Sequence, residues 1–572
     1  MTAASRRATP DTRPRHRLDG VAYAPPAEAD RLFGVGAWLP ITAGDALHDA
    51  AARAPHEVAV VAGEERITWA ELEARALARA AGLLGLGVRP GDRVLIQMGT
   101  GAEIVVTVFA LFTAGIVPVC AVPQYGPYEI AGLTERTGAV AHIVEPATAG
   151  RADLVGVGLE LQASQPTLRH LLLAGQTAPQ GAVSLSALDA RTSSSTPTPT
   201  APAAEDVAAF QLSGGTTGVP KVIPRHHAEY LGYASTWADR LAISENDVLL
   251  WALSLSHNAG MIAMLLPALL RRARLVLLPR FEPESFLRAV ECQRVTVSGS
   301  IGPIGPRLLQ HRVDAYDLSS LRCFFALNRG AAIEAHLGVP TCQMYGMTEG
   351  LLMSSHPSDP AEARHRTNGR PTSPFDEVRI ADPTGEEVAA GEVGEMLFRG
   401  PSSLRAYYRA DEATREAVTA DGFVRTGDLV RADDVGGHRC YVFAGRSKEN
   451  IDRGGEKFGV AAIEEFMAEH PSVTEARVVG MPDPEFGERV CAFVVLPAGT
   501  RPPSVDDMAA FLVERGLARF KAPERIEVVD EFPVTGVGKL DRAALRRLAE
   551  RLAAGTPRAG LPAGATAAGG DG

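Results

Sequence analysis

Short apolar runs rich in β-formers, alternating with stretches of helical spacing, constrain this chain most. RVLIQMG (93–99), ARLVLLP (273–279), RVTVSGS (294–300) and LRCFFALN (321–328) carry almost no polar alternation, so each predicts a strand covered on both faces. With helical patterns between them, such strands predict an α/β architecture. A chain of 572 residues is too long for one core and should divide into two or more domains. The nearly uncharged stretch 104–122 is long enough to span a bilayer, but Gly115 and Pro118 divide it. A buried helix followed by a buried strand, IVPVCAV, is the expected outcome, with no membrane attachment.

The ends and joints are compositional. The basic N-terminus lacks the apolar stretch of a secretory signal. Residues 1–20 and 553–572 read as disordered, and TSSSTPTPTAPAAEDV (192–207) as a solvated loop. A boundary is expected near Gly445, separating residues 21–444 from a shorter α/β unit, 445–552. In that unit EARVVGMPD and RVCAFVVLP read as strands and VDDMAAFLVERGL as a helix. A net charge of −11 argues against nucleic acid as a partner. Six scattered cysteines without a CxxC pair fit a reducing cytoplasm and neither a disulfide framework nor a zinc site.

LSGGTTGVPKVIPRHH (212–227) gathers hydroxyls, glycines and a lysine in one loop. Gly214, Gly215 and Gly218 allow sharp turns and close backbone approach to a ligand. Ser213, Thr216 and Thr217 add donors, and Lys221 a mobile positive charge. Donors without carboxylates suit a phosphate chain. The NTPase loop GxxxxGK[ST] is not matched, because Val219 and Pro220 precede Lys221 and Val222 follows it.

Four further segments accompany that loop: QMYGMTEG (343–350), RTGDLV (425–430), GRSKENIDRGGEKFG (445–459) and PVTGVGKLDR (533–542). Together, in this order, they closely resemble the adenylate-forming superfamily of acyl-CoA synthetases, adenylation domains of nonribosomal peptide synthesis and firefly-type luciferases. The resemblance covers about residues 40–550. It implies a large N-terminal domain of layered β-sheets and helices and a small mobile α+β C-terminal domain, with the active site between them. It implies ATP and Mg²⁺. Ser213 to Lys221 would embrace the β- and γ-phosphates, and Tyr345 would stack on adenine near Gly330, Ala331 and Ala332, flanked by Gly346 and Met347. Thr348 would contact the α-phosphate, Glu349 would help bind Mg²⁺, Asp428 would accept the ribose hydroxyls, and Arg446 would lie near the nucleotide. Lys539 would neutralise charge as the acid's carboxylate attacks the α-phosphate. Lys448 takes the hinge position, and Gly454 and Gly455 the thiol channel of the second half-reaction, in which AMP is displaced by a pantetheine thiol.

LSLSHNAG (253–260) occupies the family's acid-contacting position and resembles the subgroup that activates aryl acids for siderophores and related natural products. His257 is then a candidate for both catalysis and acid binding, and Asn258 would read a group ortho to the carboxylate. Where 2,3-dihydroxybenzoate-activating members carry tyrosine and then serine, Ala259 and Ala263 stand here. Arg329 replaces the first glycine of the adenine-side loop, and Leu352 joins the acid-side candidates. A widened pocket follows, for an ortho-hydroxy or ortho-amino aromatic acid other than plain 2,3-dihydroxybenzoate. No fused carrier domain is visible, so a separate carrier protein, or CoA, is the expected acceptor. The alternatives are an aryl- or fatty-acyl-CoA ligase and a non-catalytic acyl-adenylate-binding homologue.

Overall fold

The computed structural model describes residues 12–146, 153–175, 177–190, 201–213, 219–301, 304–446, 450–497, 499–533 and 540–555. The chain divides into two compact units at Ser447/Lys448, with Gln124–Ile130 assigned to the second unit.

The first unit contains three sheets. In the nine-stranded sheet the order is Arg370–Pro371, Leu352–Ser354, Thr341–Gly346, Cys323–Ala326, Val297–Ser300, Val248–Trp251, Arg274–Leu277, Val58–Ala62, Glu65–Thr68. Its six inner strands are parallel and its edges antiparallel. Three of the four apolar runs singled out in the sequence lie in this sheet. The fourth, at Arg93–Gln97, is central to a seven-stranded sheet ordered Ala182–Ser184, His170–Leu173, Ala141–Val144, Arg93–Gln97, Val117–Cys120, Val207–Ser213, Lys221–His226. A four-stranded antiparallel sheet is built from Glu377–Ala381, Gly394–Arg399, Val424–Val435 and His438–Arg446. Because side chains on both faces of the inner parallel strands are apolar, helices cover them, and one cluster of buried residues runs from Ala43 to Leu352.

The ambiguous stretch is a buried helix, Ala102–Ala114, ended by Gly115 in the left-handed conformation, then the buried strand Val117–Cys120. No helix among the described residues is long and apolar enough to cross a membrane. All six cysteines are free thiols. The N-terminal segment departs from expectation from Thr12 onward. Thr12 and Arg13 hydrogen-bond Glu205, the His16 amide donates to Asp206, and Arg17 sits 4.4 Å from the Tyr23 ring centroid. Arg13 thus reaches a carboxylate 192 positions away and also pairs with Asp30. Residues 1–11, the tail from 556 and most of the low-complexity stretch lie outside the described residues.

The second unit is a sheet ordered Glu456–Gly459, Asn450–Arg453, Gly487–Val495, Glu475–Asp483, with Arg525–Val528 beside Gly487–Val495. Helices Ala461–Ala468, Val505–Glu514 and Arg542–Ala553 accompany it. It has cores of its own around Ile463, Val490 and Leu512 and around Phe493 and Leu545.

Candidate active site

Strands Val207–Ser213 and Lys221–His226 pair antiparallel, with Ser213 opposite Lys221, so the ends of the phosphate-loop candidate are fixed by a ladder. Gly214, Gly215, Thr216, Thr217 and Gly218 lie outside the described residues. The Lys221 ammonium stands 4.7 Å from the ring centroid of Tyr407. That ring's hydroxyl donates to Glu349 Oε1 at 2.9 Å. Burial and the charge of Glu349 hold the Tyr407 hydroxyl well above the usual phenol range, so it keeps its proton and donates. Lysine, tyrosine and carboxylate thus form one group, although Tyr407 is 58 positions from Glu349.

Glu349 belongs to a loop that reverses the chain between Thr341–Gly346 and Leu352–Ser354, closed by Met347 N–H donating to Leu351 O at 3.0 Å. Gly350 is at φ +121°, and a Cβ there would stand 1.8 Å from Ser402 O, so only glycine fits. Arg225 anchors the same loop from below. It is 2 % exposed, and its guanidinium donates to the Thr348 carbonyl and, at 2.7 Å, to the Ser402 carbonyl. Glu229 lies 3.5 Å from Arg225. Thr348 itself is half-buried.

Tyr345, 7 % exposed, donates its hydroxyl to Asp428 Oδ2 at 2.7 Å. Asp428 lies within the long strand Val424–Val435, where Gly427 has φ +70° and the register with Gly394–Arg399 shifts. Such a bulge re-aims the side chain that follows it, which brings the two nucleotide-side candidates together. Met347 Sδ is 3.8 Å from the Tyr345 hydroxyl. Gly330 opens helix Gly330–Leu337 and donates its N–H to Gln343 Oε1 at 3.3 Å, with Ala331 and Ala332 exposed on the first turn.

On the acid side, His257 caps a helix that begins at Asn258, its Nδ1 accepting from Ala259 N–H at 3.2 Å. With Nδ1 an acceptor, the neutral ring carries its proton on Nε2. The helix continues through a π turn, Met261–Leu265, into Leu266–Arg271. Asn258 is 4 % exposed, and its carbonyl accepts from the Tyr230 hydroxyl at 2.8 Å. Ala259 is half-buried, while Ala263 and Leu352, both 1 % exposed, are packed core residues, as are Met261 and Met264. Arg329 is exposed, occupies the left-handed region at φ +58°, and makes no ion pair among the described residues. A glycine at that position would carry no such strain.

In the second unit, Gly454 and Gly455 form the two-residue tip between Asn450–Arg453 and Glu456–Gly459, at φ +64° and +91°. Positive φ at both positions is the type I′ geometry that suits strand twist. The Gly455 amide donates to Asp452 Oδ1 at 3.0 Å. Lys539, Lys448 and the Arg446 side chain lie outside the described residues.

Sequence reasoning missed Arg225, Tyr407, Tyr230 and Gln211. Arg225 is a buried charge on the strand Lys221–His226, and nothing local in KVIPRH marks it.

A layered α/β unit that gathers Lys221, Glu349, Tyr345 and Asp428, followed by a small α+β unit, defines a nucleotide-using enzyme of the adenylating class. The AMP-binding enzyme model matches residues 47–408 and the AMP-binding enzyme C-terminal domain matches 462–539, and the chain belongs to that family. It is 39% identical over 546 residues to the pyochelin synthase PchD of Pseudomonas aeruginosa, covering 94% of this chain and 97% of that one. It is 35% identical over 547 residues to the 2,3-dihydroxybenzoate-AMP ligase of Bacillus subtilis, covering 94% and 99%. Among solved structures, apo MbtA of Mycobacterium smegmatis is similar at a TM-score of 0.71 and 34% identity, covering 92% and 98%.

Proposed function

We propose that this enzyme activates an aromatic acid bearing an ortho hydroxyl or amino group as its acyl-adenylate. It then transfers the acyl group to the pantetheine thiol of a separate carrier protein. The observation that carries this reading is Asn258: a buried amide, held by a buried hydroxyl, next to a histidine whose proton is directed to Nε2. Similarity to a 2,3-dihydroxybenzoate-AMP ligase supports the aromatic class.

In this reading the acid's carboxylate oxygen bonds to the α-phosphorus of ATP as the bond to pyrophosphate breaks. The substrate is the nucleophile, so positioning and charge neutralisation supply the catalysis. His257 Nε2–H orients the carboxylate. Tyr345 stacks on adenine, Asp428 accepts from the ribose, and Thr348 donates to the α-phosphate. Ser213 through Lys221 hold the outer phosphates, and Lys539 offsets charge at the reacting oxygens. Among the described residues no three carboxylate, histidine or cysteine side chains cluster as a metal cage. Mg²⁺ needs none, because one carboxylate such as Glu349 plus phosphate oxygens suffices. When bound, the ion withdraws charge from the phosphates. Lys448 serves as hinge, and Gly454 and Gly455 admit the thiol, whose sulfur displaces AMP from the acyl carbon.

The test is acid-dependent exchange of labelled pyrophosphate into ATP across salicylates, anthranilates, hydroxypicolinates, cinnamates and fatty acids. Exchange with an ortho-substituted aryl acid is expected, falling roughly 10- to 100-fold in Asn258→Leu, the cost of a lost buried hydrogen bond. Exchange with aliphatic acids alone, or equal use of benzoate and salicylate, would overturn the reading. Mass spectrometry of acyl transfer to carrier protein against CoA decides the acceptor.

A further inference from the structure

Three side chains form a hydrogen-bonded series from the phosphate-loop strand to the acid side. Gln211, two residues before Ser213 on the same strand, donates Nε2–H to the Tyr230 hydroxyl at 3.0 Å. Tyr230, on helix His227–Arg240, donates onward to Asn258 Oδ1 at 2.8 Å. The three residues are 1, 1 and 4 % exposed, so water does not compete for these bonds.

A phenol has a single proton. Burial keeps it on Tyr230, far above the usual range, and Gln211 already donates to the oxygen. The proton therefore goes to the Asn258 carbonyl. With that carbonyl turned to Tyr230, the amide is oriented so that Asn258 presents its N–H groups on the opposite side, and they have no partner among the described residues.

We propose that Tyr230 and Gln211 are positioning residues that lock Asn258 as a donor, so that the enzyme selects acids whose ortho substituent accepts a hydrogen bond. This rests on the aryl-acid reading above and narrows it. An ortho hydroxyl satisfies the condition: it gives its proton to the neighbouring carboxylate and turns a lone pair to Asn258. A ring nitrogen at that position also accepts. An ortho amino group gives one N–H to the carboxylate and points the other at the Asn258 N–H, donor against donor, with nothing to satisfy either.

Gln211→Glu reverses the series with little change of shape. A carboxylate there accepts the hydrogen bond from the Tyr230 O–H, the Tyr230 oxygen then accepts from Asn258, and the Asn258 carbonyl turns to the substrate. The experiment measures kcat/KM for pyrophosphate exchange with salicylate and anthranilate in the wild type, Gln211→Glu and Tyr230→Phe, with thermal melting as the check on folding. The wild type is expected to favour salicylate by about tenfold or more. Tyr230→Phe, which frees the amide to rotate, should bring the ratio toward one. Gln211→Glu should invert it, with a rise in the absolute anthranilate value that a merely structural role would not produce. A wild type that uses anthranilate as well as salicylate, or a ratio unmoved in a folded variant, overturns the relay and leaves aryl activation standing. Exchange with aliphatic acids only overturns the aryl reading and the relay with it.

Discussion

At the scale of single residues, the loop carrying Thr348 and Glu349 is held by side chains from distant segments: Tyr407 donates to Glu349 and Arg225 to the Thr348 carbonyl. Tyr345, Glu349 and Asp428 sit in short stretches whose glycines and charges stand out locally. Tyr407 and Arg225 have no such signature, because they act on Glu349 and Thr348 from 58 and 123 positions away. Tyr407→Phe removes one hydrogen bond from Glu349 and nothing from the core. The Mg²⁺ concentration giving half-maximal exchange should rise several-fold while Tm stays within a few degrees, which a Mg²⁺ titration checks. Arg225→Met should be harsher. It leaves the buried Ser402 carbonyl without a donor, at roughly 1–3 kcal/mol, and removes a second bond from the part-buried Thr348 carbonyl. Lower Tm together with weaker ATP binding, read by differential scanning fluorimetry with and without nucleotide, is the expected result.

At the scale of elements, the apolar runs announced their strands because a fully buried strand has no reason to alternate. The strand Ala141–Val144 follows the same rule with one exception. His142 is fully buried and neither ring nitrogen has a partner among the described residues. Burial lowers its pKa to about 4, below the unfolded value near 6.5. The unfolded chain therefore takes up a proton that the folded one refuses. The stability tied to this group is complete above pH 6.5 and falls by about 3 kcal/mol as pH drops to 4. His142→Leu should flatten that decline, measured as urea midpoints from pH 7 to 4. Nothing local announces what confines Gly350: the Ser402 backbone pressed against it comes from a distant segment. Gly350→Ala adds a clash to a forbidden φ and should cost several kcal/mol, visible as loss of soluble protein or a sharply lowered Tm.

At the scale of the whole molecule, a boundary is expected near Gly445 and the chain divides at Ser447/Lys448, whereas nothing local announces the anchoring of the N-terminal segment. Its composition is that of a disordered tail, and only folding brings Glu205 and Asp206 to it. All four tryptophans, Trp38, Trp69, Trp237 and Trp251, lie in the first unit, while the second has its own cores. Tryptophan fluorescence should therefore follow the first unit and far-UV circular dichroism both. Non-coincident urea transitions by the two probes are expected, and a single shared midpoint would show that the units unfold together. The π turn at Met261–Leu265 bears on how such a chain diversifies. It holds one residue more than the α turns around it, so excising a residue there restores α-helical pitch. Every side chain on its N-terminal side then rotates by about 100° and moves about 1.5 Å along the axis. Asn258 would leave Tyr230 without a single substitution at the pocket, so a one-codon deletion can readdress the acid in descent as readily as an exchange of side chains.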